Sequence, residues 1–198
     1  MLEDLALPGD IVCGTDSHTC TAGALGPFAF GVGSTDMANA WYTKDCRVRV
    51  PEVVRYRLLG KPAGDITAKD VILYIMAQDY IREGKAIGQV LEFVGEGLAH
   101  LNFDERATLT NMAVEAGAFT GVIEPDSVVT DYLLGVRPTL TREEIEVGFL
   151  KSDPDAEYTA SFDIDLEQIA PMVATPGDPR NGVPLVDLDE NIAIDIAY

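Results

Sequence analysis

Basic residues are scarce: 14 lysines and arginines stand against 33 aspartates and glutamates in 198 residues, a formal net charge of −19. That balance argues against a nucleic-acid or anionic-membrane surface, because both need clustered cations. The acids are dispersed rather than gathered into a tail, so most read as a solvated face. No apolar run reaches the roughly 20 residues that span a bilayer. The opening Met1-Leu2-Glu3-Asp4-Leu5 lacks the basic region of a signal peptide. A soluble cytoplasmic protein is the expectation. Cysteine is also sparse. Cys13, Cys20 and Cys46 are odd in number and irregularly spaced, which fits neither a disulfide framework nor a zinc or ferredoxin signature. They read as reduced structural thiols. Internal repeats and low-complexity tracts are absent. Histidine is rarer still, with only His18 and His100, so His18 has little competition as an imidazole for proton transfer.

What is present is enough apolar content, 47%, to bury a sizeable core in one large or two small domains. Residues 10–13 read as a strand that stops at Gly14. A stretch with glycine at 23, 26, 31 and 33 follows, and residues 34–42 read as a helix with Ser34 as its N-cap. Residues 53–59 alternate like a half-exposed strand. Thr67 and Asp70 form a near capping box that opens a helix to about Arg82. Residues 90–95 and 121–123 read as strands, 104–116 as a helix, and Pro125 suits the first turn of a helix reaching Leu134. Thr141 caps one more helix, 158–164 is a β segment, and 175–184 reads as a long surface loop. The tail 191–198 reads as an apolar strand. Strand–helix alternation implies an α/β protein.

Three places carry chemistry. Asp16-Ser17-His18 puts a carboxylate, a hydroxyl and an imidazole on a loop after a strand, the groups that hold a hydroxy acid and move its protons. A plain loop in which they satisfy backbone amides is the alternative. Asn111 and Glu115 are four apart, so a continuous helix would place them on one face beside apolar neighbours. An ordinary exposed pair is the alternative there. The glycine series fits neither a P-loop nor the dinucleotide fingerprint, and reads as tight packing near a ligand. His100 reads as a surface or packing residue, and Trp41 and Tyr42 as helix–core contacts.

Taken together, these residues resemble the aconitase superfamily of iron–sulfur hydro-lyases. The resemblance rests on Gly14-Thr15-Asp16-Ser17-His18-Thr19, the run from Gly23 to Gly33, Val50-Pro51-Glu52, and Thr67 through Leu73. It continues in Thr110-Asn111-Met112 with Glu115-Ala116-Gly117, in Pro125-Asp126, and in Ser152 through Ala156. It covers about residues 9–170, and the wording around Asn111 and Pro125 looks most like the isopropylmalate/homoaconitate large-subunit branch. What it implies is an aconitase-like three-layer α/β/α fold, present in part. Residues 1–58 would be the C-terminal part of a first domain with the Asp-Ser-His loop, 59–150 a second domain with Asn111 and Glu115, and 151–198 the truncated start of a third. The activity implied is dehydration and rehydration of a small hydroxy di- or tricarboxylic acid at a 4Fe–4S cluster. Asp16, His18 and Glu115 would be catalytic, and Ser17 and Asn111 would bind substrate. The family's cluster cysteines lie in motifs that do not occur here. No cluster is expected on this chain, which reads as an inactive fragment lacking its cluster domain and its swivelling domain or small subunit. A non-catalytic, protein-binding short relative is the alternative. That alternative predicts a closed polar surface, whereas the fragment predicts exposed apolar area.

Overall fold

A computed structural model describes Leu2, residues 4–188, Ile192 and Ala193. Apart from Ile192 and Ala193, the strand expected over 191–198 lies outside the described residues. Two parallel sheets organise the rest. Strands β1 (Ile11–Gly14) and β2 (Phe28–Gly31) pair with Ile11 opposite Phe28. Strands β3 (Val53–Leu59), β4 (Val90–Val94), β5 (Thr120–Ile123) and β6 (Ala160–Asp165) form a four-stranded sheet in the order β5-β4-β3-β6. That sheet takes strands from all three expected segments, since β3 straddles residue 58 and β6 lies beyond residue 150.

The period-2 pattern of β3 explains the sheet's two faces. Val54, Tyr56 and Leu58 point one way with Leu91 and Phe93, into a core shared with α2 (Ala68–Met76) and α4 (Phe103–Asn111). Arg55 and Arg57 point the other way and meet Ser161 and Asp163 across the β3–β6 pairing. A second apolar cluster joins Leu25, Ala29 and Phe103 to Val129 and Leu133 of α5 (Ser127–Val136) and to Ile145 of α6 (Arg142–Glu146). No helix among the described residues is long and apolar enough to cross a membrane.

Several boundaries differ from expectation. Helix α1 runs Ser34–Thr43 with Gly33, not Ser34, as its N-cap. Met37 is its one buried residue, and Trp41 and Tyr42 are 78% and 90% exposed, so they are not core contacts. Strand β2, Phe28-Ala29-Phe30-Gly31, lies inside the glycine-rich stretch and is only four residues long. The helix capped by Thr67 stops at Met76. Gln78 then adopts extended backbone and starts the short α3 (Asp79–Arg82). Pro125 precedes α5 rather than opening it, because Asp126 is the N-cap and accepts from the Val128 amide at 2.9 Å. The segment 175–184 is closed by a hairpin, with β7 (Met172–Ala174) antiparallel to β8 (Gly182–Pro184).

Asp126 has a second role. Arg106 on α4 is fully buried and donates to both Asp126 oxygens at 2.6 and 2.8 Å, and to the Leu98 and Leu101 carbonyls. The clamp fixes α4 against α5. Burial alone would push the Asp126 carboxyl up, but the Arg106 hydrogen bonds and charge, with the Val128 and Val129 amides, hold it below the usual value. A depressed folded pKa adds stability that is present above the unfolded value and lost as pH falls through the folded one. The clamp therefore weakens in acid, below about pH 4. Asp126→Ala leaves the Arg106 charge buried without its partner and removes a cap. We expect a loss of about 3 kcal/mol in urea denaturation at pH 7, shrinking toward pH 3.

Candidate acid–base site

The site begins where β1 ends. At Gly14 the chain turns into a loop, and Asp16 Oδ1 accepts the His18 backbone N–H at 2.7 Å. The Asp16 carbonyl accepts the Thr19 hydroxyl at 2.7 Å, which closes the loop and starts a 3-10 helix, Thr19–Leu25. Side chains at Gly14 and Gly31 would obstruct it, as a Cβ on Gly14 would stand 2.4 Å from Thr19 Oγ1 and one on Gly31 would stand 2.7 Å from the Asp16 carbonyl oxygen.

The 3-10 helix carries this loop to α4. Gly23 makes that possible: a Cβ there would lie 1.9 Å from the Gly121 carbonyl oxygen on β5. A Cβ on Gly121 would in turn crowd Ala113 Cβ at 2.9 Å and Thr110 Cα at 3.1 Å. Thr110 Oγ1 donates to the Thr21 carbonyl at 3.0 Å, and the Cys20 thiol to the Asn111 carbonyl at 3.6 Å. The glycine series therefore serves close packing beside the site.

As a result, residues 97 positions apart in sequence meet. His18 Nε2 lies 3.2 Å from Glu115 Oε1, and His18 Nδ1 lies 2.9 Å from Ser17 Oγ. A carboxylate only accepts, so Nε2 carries the proton in the neutral ring and Nδ1 takes the Ser17 hydroxyl proton. The side chains of His18 and Glu115 remain 35% and 41% exposed, open enough for a ligand. Glu115 does not share a helix face with Asn111, because α4 ends at Asn111 and Glu115 sits in the turn that follows. Asn111 faces the loop by another route, with Nδ2 donating to Thr21 Oγ1 at 2.9 Å. The arrangement brings Asp16, Ser17, His18 and Glu115 into one chain of contacts, and joins Asn111 to it through Thr21. Thr21 carried no distinguishing local signal in the sequence beyond lying three residues after His18. His100 is exposed at the end of another 3-10 helix, Glu96–His100, away from these contacts.

A cavity of about 430 Å³ opens beside His18, lined also by Leu2, Asp4, Asp16, Thr21 and Tyr132. No lysine or arginine among the described residues lines it. A larger hollow of about 1030 Å³ lies between α1, residues 45–52 and Phe119. It contains none of the five candidate residues and no histidine, so volume and chemistry point to different places. The smaller one is lined by two of the five, Asp16 and His18.

The thiols do not make a cluster cradle. Burial pushes the Cys20 thiol up, and burial and then neighbouring Cys46 push Cys13 up, whereas thiolate ligation needs the opposite shift. Cys20 is buried, Cys13 half-buried and Cys46 exposed. Among the described residues no group of three or more His, Cys, Asp and Glu is placed to hold a metal ion.

Fold and site together define a parallel α/β protein in which a strand-end Asp-Ser-His loop is held against a carboxylate from a second α/β unit. The model of the aconitase family (aconitate hydratase) matches residues 1–196, and the chain belongs to that family. It is 44% identical over 193 residues to the 3-isopropylmalate dehydratase large subunit of Acetivibrio thermocellus, covering 98% of this chain and 44% of that protein. The large subunit of Caldicellulosiruptor bescii is also 44% identical over 193 residues, and large subunit 1 of Pyrococcus furiosus is 44% identical over 192. The chain spans under half the length of these relatives, 43–44% of each.

The meeting of loop and turn depends on Gly23. Gly23→Ala drives a methyl group into the Gly121 backbone, so we expect a loss of about 2–3 kcal/mol in thermal or urea unfolding. The His18–Glu115 contact should weaken in parallel, seen as an altered His18 ring resonance.

Proposed function

We propose that this chain supplies the acid–base half of a hydro-lyase that dehydrates and rehydrates a small hydroxy di- or tricarboxylic acid of the 3-isopropylmalate type. The observation that carries the reading is the His18 Nε2–Glu115 Oε1 contact at 3.2 Å, backed by Ser17 on Nδ1 and Asp16 on the loop backbone. Dehydration takes a proton from one carbon and a hydroxyl from its neighbour as the double bond forms; the departing oxygen needs a proton, and hydration removes one from water. In this reading the present chain serves the oxygen side, and the carbon-bound proton goes to a base on another part of the protein. His18 is the proton carrier in this reading. Glu115 holds the Nε2 proton and steadies the charged ring, so the proton that moves is the one on Nδ1, passed to or from the reacting oxygen through the Ser17 hydroxyl, which accepts from Nδ1–H as it gives up its own proton. Asp16 keeps one oxygen on the His18 amide and offers the other to the reacting hydroxyl or water. Ser17 and Asn111 contact the substrate. The segments 1–58, 59–150 and 151–198 in this reading carry the loop, Glu115 and the sheet edge β6.

Family membership implies a 4Fe–4S cluster in the intact enzyme. This chain's thiols do not fit it, so its ligands belong to another part of the protein, as do cations for the substrate carboxylates. The name large subunit among the relatives supports a small-subunit partner. Ile11, Trp41, Tyr42 and Val50 are 77%, 78%, 90% and 89% exposed, and exposed apolar area of this kind supports further protein covering the chain rather than a self-contained binding module. The same reading places the protein in the cytoplasm, away from membrane and nucleic acid, and inactive as this chain alone.

The test is hydration of isopropylmaleate and of aconitate by the full-length protein assembled with its small subunit. His18→Gln and Glu115→Gln should each lower kcat by about 10²–10⁴-fold with an unchanged far-UV spectrum. Wild-type rates in both variants, or turnover by the 198-residue chain alone, would end this reading.

A further inference from the structure

Two of the three thiols come together at a place the acid–base site does not use. Cys13 lies on β1, and its partner across the parallel pairing is Phe30 of β2. Paired residues of neighbouring strands project to the same face, so Cys13 lies beside Phe30. Phe30 forms part of the wall of the hollow of about 1030 Å³, and Cys46 lines the same hollow. The chain reaches it by a turn. Helix α1 ends at Thr43, and Lys44 adopts left-handed backbone at a φ of +59°, which turns the chain out of the helix. Cys46 follows two residues later and is exposed, while Cys13 is half-buried. Apart from burial, Cys46 is the only group that acts on the Cys13 thiol, through its charge and a side-chain hydrogen bond. The main chain of residues 46–51 makes no backbone hydrogen bond with another described residue. It is therefore free to adjust to the Cβ separation of about 4 Å that a disulfide requires. Cys20 stands outside this arrangement, since it is buried and its thiol donates to the Asn111 carbonyl at 3.6 Å.

We propose that Cys13 and Cys46 are a thiol-modification site: Cys46 attacks a small disulfide of the glutathione type that enters the hollow, and Cys13 resolves the adduct into a Cys13–Cys46 disulfide. In the first step the Cys46 thiolate attacks one sulfur of the incoming disulfide, and one glutathione thiolate leaves. In the second the Cys13 thiolate attacks the Cys46 sulfur, and the second glutathione thiolate leaves. Each protein thiol gives its proton to a departing thiolate. Two protein thiols are thus oxidised by two electrons, and one disulfide is reduced to two glutathione thiols. The order follows exposure. Cys46 is open to solvent, whereas burial and then Cys46 itself hold the proton on Cys13, which suits the resolving role. The bond fastens the end of α1 to the strand that presents the Asp16-Ser17-His18 loop, and excess glutathione thiol reverses it. The pair needs nothing from the dehydratase reading, since neither thiol is one of the five site residues.

Loop closure separates a folded pair from a chance one. In an unfolded chain Cys13 meets Cys20 about tenfold more often than it meets Cys46, because the loop to be closed is much shorter. The native 198-residue chain, treated with oxidised glutathione and quenched in acid, should instead join Cys13 to Cys46. Trypsin cuts after Lys44 and Arg47, so the product is the tripeptide Asp45-Cys46-Arg47 linked to peptide 1–44, and fragmentation assigns the linked cysteine. We expect Cys13–Cys46 to exceed Cys13–Cys20 by about tenfold or more in the native chain, and the preference to reverse in urea. Cys13→Ser should stop at the Cys46 glutathione adduct. Cys46→Ser should form no cross-link and take up glutathione at least about tenfold more slowly. The full-length protein should yield the same linked tripeptide. A native chain that pairs Cys13 with Cys20, that keeps glutathione on Cys46 without closing, or that joins two chains through Cys46 overturns the proposal. So does the absence of the linked tripeptide from the full-length protein. If circular dichroism shows Cys13→Ser unfolded, Cys13→Ala takes its place with the same expected and contrary outcomes, and the wild-type cross-link needs no variant.

Discussion

Two backbones approach at Gly23 and Gly121 more closely than any side chain permits, and the placement of the polar groups follows from that approach. The 3-10 helix Thr19–Leu25 reaches β5 and α4 only because neither glycine interposes a Cβ. Once it is seated, Thr110 and Cys20 find carbonyl partners across the gap, and the loop before it comes to rest against the turn after α4. The Arg106–Asp126 clamp holds α4 from its other side. A buried pair of this kind contributes little net stability against an apolar substitute, but breaking it is costly. It therefore fixes an orientation more than it strengthens the fold. The His18–Glu115 contact is positioned by packing on one side of α4 and by charge on the other.

Much of this fold was legible because its elements announce themselves locally. The alternation over 53–59 predicted β3 to the residue. The Thr67–Asp70 and Thr141–Glu144 pairs form the reciprocal hydrogen bonds of true capping boxes. What failed depended on partners distant in sequence. Strand β2 is only four residues, Phe28-Ala29-Phe30-Gly31, inside a run with glycine on both sides, so its short alternation did not stand out, and it is set by its parallel pairing with β1. Helix α4 stops at Asn111 though the apolar pattern continues, and Gly117 at a φ of +81° completes the turn. Trp41 and Tyr42 look like core residues by type, yet α1 buries only Met37.

The site was legible in the same uneven way. Asp16, Ser17 and His18 are adjacent, so position made them candidates beside a plain-loop alternative, and the family resemblance supplied their expected roles. Glu115 was tied to Asn111 by a helical spacing that does not hold, and its actual partner is His18. Thr21 and Arg106 had no local signal, since a threonine among threonines and an arginine on a helix are ordinary. Their importance comes from contacts that only the tertiary fold creates.

Charge gives the remaining argument about division of labour. The cavity beside His18 carries Asp4 and Asp16, and Glu115 lies 3.2 Å from the imidazole Nε2. A substrate carboxylate placed about 5 Å from one of these acids at an effective dielectric near 20 meets a repulsion of about 3 kcal/mol. That cancels most of the roughly 4 kcal/mol that a millimolar affinity represents. Protonated His18 offsets one such interaction and not two. A net charge of −19 deepens the penalty at long range. A chain with this potential handles protons well, because acids can hold and orient an imidazolium, and it captures dianions badly. In the proposed enzyme the two tasks therefore fall to different pieces of protein.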